Sequence, residues 1–353
     1  MNVEQKAPGF NAPVSWSENE FENVEQCPLC QSLDLVQFLT GVQDWHFETV
    51  PGKFDFAKCG SCASLVLLKR PKPENALAAY SSYYTHGQSA DMAPQRGLMQ
   101  RAFRVLSDGY VANTYRGSSR LLDRAFAAAV ALLPTRRAEI DARYRYLPND
   151  PAKVLDYGCG DGTFLKVAQG LGHQVVGVDF DQEALASARG KCIDVLLPNE
   201  LDQQNPYSLY DHLTLSHVIE HLDDPLGLLR KCRNWLKPTG TLYIEVPNSN
   251  ARGLGNFGGF WRGLEVPRHF SVPSSNGLKR ALEAAGFDVI FLGTRAFAHV
   301  YMDAASEAAR NKFDCNVGLD PPQQTITQIK LDSATTSAEM LTCLARPCKA
   351  VEI

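Results

Sequence analysis

The chain of 353 residues has no long hydrophobic run. Its longest apolar stretch, 125–133, is far short of the ~20 residues a membrane-spanning helix needs. The first 24 residues are polar, acidic and punctuated by proline, without the apolar centre of a secretion signal, so a cytoplasmic protein is expected. Excess charge of one sign is also missing. The formal net charge is −4, which disfavours general binding to polyanions such as nucleic acid. No internal repeat is visible. What is present is ordinary globular material, 44% hydrophobic, enough to bury a sizeable core.

Ten cysteines are present, and only four are regularly spaced. Cys27 and Cys30 form one Cys-x-x-Cys pair, and Cys59 and Cys62 a second, 28 residues on. Two such pairs offer four thiolates to one tetrahedral ion. A structural Zn²⁺ with no open coordination position is therefore expected. Lys69-Arg70-Pro71-Lys72-Pro73 reads as a boundary, because two prolines forbid a continuing helix or central strand.

Between Arg96 and Tyr146 the pattern turns helical, with ten arginines, no lysine and four acids. Arg116, Arg120 and Arg124 fall in one i, i+4 row, suited to phosphate groups or to a solvated face. From 151 onward strands and helices alternate. Strands are expected over 154–157, 174–178, 193–197, 212–216, 241–246 and 287–293, and helices over 163–169, 182–189, 225–236 and 276–285. Such alternation predicts a parallel, doubly wound sheet. The stretch 340–345 is expected to add an antiparallel seventh strand.

The first strand runs into Asp156-Tyr157-Gly158-Cys159-Gly160-Asp161-Gly162-Thr163. Glycines allow a tight left-handed turn and close approach of a ligand. A dinucleotide fingerprint would place its third glycine at 163, where Thr163 stands, so NAD is disfavoured. The second strand ends in Val178-Asp179, and a carboxylate there can accept both hydroxyls of a ribose.

These motifs resemble those of the class I S-adenosylmethionine-dependent methyltransferases over about 151–300. The resemblance implies an α/β, Rossmann-like sheet of seven strands with helices on both faces. Around it are expected a leader (1–24), a small four-cysteine zinc module (25–70), a helical linker (71–150) and the methyltransferase domain (151–353). It implies cofactor contacts by Asp156, Gly158, Cys159, Gly160 and Asp179, with Ser216 and His217 at the end of the fourth strand. Asn199 is the candidate for adenine. Ser216-His217-Val218-Ile219-Glu220-His221 resembles a Glu-His loop that, in sugar methyltransferases bearing a zinc module, is implicated in proton abstraction. Imidazole titrates near neutrality, so His221 is the candidate base, with Glu220 in support. Trp261-Arg262-Gly263 and the later Pro267-Arg268-His269 resemble a stretch of related bacterial enzymes. Trp261 and Arg262, with Tyr83 and Tyr84 of the linker, are the acceptor-site candidates, whereas His269 is expected to be bonded inside a packed loop.

The expected function is methyl transfer to a small molecule, such as a sugar nucleotide or another cell-envelope or secondary-metabolite precursor. A quinone or polyketide O-methyltransferase is the second enzyme reading. A non-catalytic cofactor-binding protein that recruits a partner through the zinc module is a third, and RNA methylation a fourth.

Overall fold

A computed structural model describes residues 16–72, 75–80, 98–295, 298–313 and 337–348. Short strands open the chain: β1 (Phe21–Asn23), β2 (Leu35–Val42), β3 (Phe54–Cys59), β4 (Leu65–Leu67) and β5 (Lys69–Pro71). Three helices follow, α1 (Leu98–Tyr115), α2 (Leu121–Ala131) and α3 (Pro134–Arg143). The alternating region then runs β6 (Lys153–Tyr157), α4 (Thr163–Gly170), β7 (Gln174–Val178), α5 (Gln182–Gly190), β8 (Asp194–Leu196), α6 (Pro198–Gln204), β9 (Tyr210–Ser216), α7 (Pro225–Trp235) and β10 (Leu236–Pro247). The remaining elements are α8 (Arg252–Phe257), β11 (Ser271–Val272), α9 (Ser275–Ala284), β12 (Phe287–Arg295), α10 (His299–Phe313) and β13 (Met340–Pro347).

Seven strands form the central sheet in the order β12-β13-β10-β9-β6-β7-β8. β6 through β10 pair in parallel, and β13 lies antiparallel between β10 and β12. The expected seventh strand is thus present, two residues longer than the sequence pattern indicated. The parallel strands read as continuous apolar runs because both faces are covered. Leu155, Leu213, Leu215, Leu242 and Ile244 are all fully buried. No helix among the described residues is long and apolar enough to cross a membrane.

The four-cysteine segment is joined to this core. β2, β3 and β4 pair in sequence, and β4 then pairs antiparallel with β11, which follows β10 and α8 in the chain. Cys27, Leu29, Cys59, Cys62 and Val66 share one apolar cluster with Leu278, Ala281 and Leu282 of α9. Ser274 caps α9 through Gly277 and also donates to the carbonyl of Cys62. A Cβ at Gly277 would lie 2.1 Å from Ser64 Oγ, so a side chain there would displace the Ser64 hydroxyl that bonds Ser274. A second tie is the buried pair Arg268–Asp44, at 2.5 Å, with Arg268 Nη1 donating also to Thr49 Oγ1 and to the Ala79 carbonyl. Removing one partner of a buried pair costs about 3–5 kcal/mol, because the other charge stays behind unpaired. The stretch near residue 70 expected as a boundary holds strand β5, paired antiparallel with β1.

Candidate cofactor cleft and acceptor cavity

The glycine turn after β6 is built as its spacing requires. Gly158, Gly160 and Gly162 all have positive φ, at +81°, +52° and +75°. At Gly158 a Cβ would strike Val218 Cγ2 at 2.5 Å, whereas at Gly160 it would meet nothing within 4 Å. The turn is thus pressed against the loop after β9 on one side and open on the other. The amides of Gly158 and Cys159 both donate to the Val178 carbonyl, which pins the turn to the end of β7. Cys159 is buried beneath it.

Asp179, just past β7, is 9% exposed. Its Oδ2 accepts from the Gly160 amide at 2.8 Å and its Oδ1 from the Asp181 amide at 3.0 Å. Each oxygen keeps a further lone pair. Burial pushes this carboxyl upward, an environment that favours added donors such as a diol. Phe180 follows at 47% exposure, its ring 5.4 Å from that of Tyr80.

Asp156 departs from expectation. It is fully buried, and its Oδ1 accepts from Arg145 and from Thr214 Oγ1, each at 2.5 Å. It lies under the turn and anchors it; its carboxylate does not reach the cleft surface. The sequence could not separate the two roles, because Arg145 precedes the strand in an irregular, left-handed stretch (φ +47°). Asn199 is exposed in the first turn of α6.

Beside this cleft lies a cavity of about 1330 Å³. The carboxyl ends of β9 and β10 form its floor, through His217, Glu245 and Pro247, and α1 and α3 wall one side. Ser216 ends β9, and His217 follows with φ +57° and its amide donating to the Glu245 carbonyl. The His217 ring lies 3.2 Å from Glu220 Oε1 and 3.7 Å from Glu245 Oε1. Burial alone would lower this imidazole, but the two carboxylates outweigh it and push it up to about 10. Glu245 is itself held down at about 2, against the cost of burial, by His217 and Arg295. Arg295 bonds Glu245 at 2.8 Å and Glu139 at 3.5 Å. This ion network beneath the cavity was not legible in the sequence, because it joins residues from α3, β10 and β12.

His221 lines the cavity, half-buried. Its Nδ1 lies 2.8 Å from Tyr80 Oη and 3.0 Å from the Arg268 carbonyl. A carbonyl only accepts, so the proton sits on Nδ1 and Nε2 carries the lone pair. The expected support from Glu220 takes a different form: Glu220 bonds to His217, and acts on His221 through charge alone. His269 is bonded inside the loop, as expected, through Nδ1 to the Gly263 carbonyl at 2.8 Å. Yet it also lines the cavity, with its ring 4.6 Å from that of His221. Burial pushes it down to about 4, so it is neutral.

Trp261 does not join the acceptor wall. It is 1% exposed, its Nε1 donates to Glu339 Oε2 at 2.6 Å, and Gly253 and Gly263 lie against its ring. Arg262 does line the cavity, paired with Glu265 and 4.8 Å from the centre of the Phe47 ring. Arg116, Arg120 and Arg124 are exposed and lie outside the cavity lining. Tyr83 and Tyr84 lie outside the described residues.

The four cysteines converge. Cys27 Sγ lies 3.7 Å from Cys62 Sγ and Cys30 Sγ 3.5 Å from Cys59 Sγ, with all four within 4.8 Å of one another. Sulfurs bound at ~2.3 Å to one tetrahedral ion sit ~3.8 Å apart. The donor set therefore fits a closed zinc site.

A family model described as a methyltransferase domain matches residues 96–292. Among similar curated proteins, a ubiquinone biosynthesis O-methyltransferase of Xanthomonas campestris pv. campestris is 35% identical over 126 residues, covering 33% of this chain and 51% of that one. One of Thiobacillus denitrificans is 32% identical over 126 residues, covering 34% and 53%. The chain thus spans about half the length of the curated relatives it matches. Among solved structures, a SAM-dependent methyltransferase from Archaeoglobus fulgidus aligns with a TM-score of 0.43 and 24% identity, over 61% of this chain and 93% of that one. With the matched model covering more than half of its length, the chain belongs to the S-adenosylmethionine-dependent methyltransferase family.

Proposed function

We propose that the protein transfers the methyl group of S-adenosylmethionine to a small-molecule hydroxyl held in the cavity. The carrying observation is the junction between the two spaces. Val218 presses on the glycine turn, while His217 and His221 on either side of it line the cavity. Donor and acceptor sites thus share one wall, and alignment across it supplies much of the rate in a transfer of this kind. The open face above Gly160 would take the cofactor, Asp179 would hold its ribose and Phe180 would offer a ring to the adenine. When bound it supplies the electrophilic methyl group. Gly158, Cys159 and Gly160 shape the turn, Asp156 braces it from below, and Ser216 and His217 border it. His221, helped by the charge of Glu220, takes the acceptor's proton or orients the hydroxyl, and Arg262 contributes to the acceptor wall.

The apolar part of the wall, with Phe103, Ile140, Tyr144, Tyr301 and Met302, favours a phenolic or quinol-type acceptor, while Arg104, Arg136 and Arg143 also line the cavity. The names of the curated relatives point the same way. A screen with radiolabelled cofactor against quinol precursors, sugar nucleotides and RNA tests this. Label should enter the phenolic pool; label only in sugar nucleotides or RNA would refute the acceptor class, and label nowhere would refute the activity.

The cysteine cluster is proposed to hold one structural Zn²⁺ per chain. Because α9 packs on it, Cys59→Ser should lower the melting temperature of the whole chain in a single transition. Metal analysis finding no zinc, or a variant that melts like the parent, would contradict this.

A further inference from the structure

We propose that Glu220, His221 and His269 form a second metal site, for a divalent first-row ion, on the wall of the acceptor cavity. Each offers one ligand atom, and the three atoms lie within 4.8 Å of one another. Ligands on one ion at ~2.1 Å each lie at most about 4.2 Å apart, so closure needs only small side-chain shifts. The hydrogen bonds prepare both imidazoles for coordination. Each commits Nδ1–H to a main-chain carbonyl, that of Arg268 for His221 and that of Gly263 for His269. Both Nε2 atoms therefore carry lone pairs, and backing of this kind on the other ring nitrogen is what orients metal-bound histidines generally. His269 Nε2 is 3.7 Å from Glu265 Oε2, too far for a hydrogen bond.

Glu220 provides the independent sign. The residue is fully buried, its Oε1 faces His217, and its Oε2 has no hydrogen-bond partner at all. A buried carboxylate oxygen without a partner is destabilising, a cost that a cation removes. His217 is shared between Glu220 Oε1 and Glu245, Arg262 is paired with Glu265 and Arg268 with Asp44, so none of these cations meets Glu220 Oε2. Two imidazoles and one carboxylate make a borderline donor set that leaves coordination positions open. On the reading of the cavity as the acceptor site, those positions would hold acceptor oxygens beside the donor methyl, and His221, its Nε2 lone pair then on the ion, would orient the acceptor through the metal instead of taking its proton. This set is chemically distinct from the closed four-thiolate cluster.

The test is Mn²⁺ binding to zinc-loaded protein, followed by loss of the free-ion electron paramagnetic resonance signal. One Mn²⁺ per chain is expected, with zinc content unchanged. His269→Ala and Glu220→Gln should weaken it by more than about 10-fold, since even loss of an outer partner costs about 10–100-fold. His221→Asn, at the half-buried position, serves where the buried variants fail to fold. The absence of Mn²⁺ binding, or equal binding in all folded variants, would overturn the site. That failure would leave S-adenosylmethionine binding untouched, so it is distinguishable from failure of the methyl-transfer reading.

Discussion

Replacing His221 with alanine should lower methyl-transfer turnover by about 10²–10⁴-fold, the range for loss of a general acid–base group. S-adenosylmethionine affinity should stay near its parent value, because the glycine turn and Asp179 do not touch His221. The expectation rests on position. His221 stands on the cavity wall, its ring held by Tyr80 and the Arg268 carbonyl, with Nε2 carrying the lone pair. A variant that retains full turnover would end the assignment and leave alignment as the source of rate. A fall in cofactor binding or stability equal to the fall in turnover would show that the ring only props the loop. Tyr80→Phe separates the two roles further. It should change turnover modestly, since it removes one contact to Nδ1 while leaving the imidazole in place.

The second large effect belongs to Asp179→Ala, which should weaken S-adenosylmethionine binding by about 10²–10⁴-fold. Two ribose hydroxyls donating to one carboxylate make charge-assisted bonds, worth about 1.5–3 kcal/mol each in the usual range. Each 1.4 kcal/mol is a factor of ten in affinity. Alanine also frees the amides of Gly160 and Asp181, which loosens the turn. Calorimetry reads the affinity and thermal melting reads the turn. Unchanged affinity would remove the ribose contact from the proposal. A large loss of melting temperature with little loss of affinity in the surviving fold would assign Asp179 to the turn instead.

The central sheet was legible because its signals are local. Each parallel strand is an apolar run bounded by turn residues, and the turn at Gly158–Gly162 announces itself by composition. Candidate site residues could be placed from the sequence only where they follow a strand, as Asp179 does directly after β7 and His221 does in the loop after β9. Asp156 sits at a strand end too, but its partner Arg145 emerges from an irregular turn that no periodicity marks. Trp261 looked like an acceptor-wall aromatic because it stands in a glycine-rich loop; its partner Glu339 comes from just before the last strand. His269 and Glu265 were similarly hidden, since only the folded loop brings them to His221. β11, two residues long, carries no pattern at all, and its pairing with β4 is entirely non-local.

That pairing has a consequence for how the chain is made. On the ribosome, β4 is synthesised on the order of 200 residues before Ser271 and Val272 reach it. Until then the cysteine ribbon has an open edge, and one side of its cluster lacks α9. Unpaired strand edges are sites of mispairing between chains. The nascent ribbon therefore spends most of translation as an exposed half-sheet, and early zinc capture, by tying its two cysteine pairs together, would keep that edge ordered until the loop after β10 arrives to cover it.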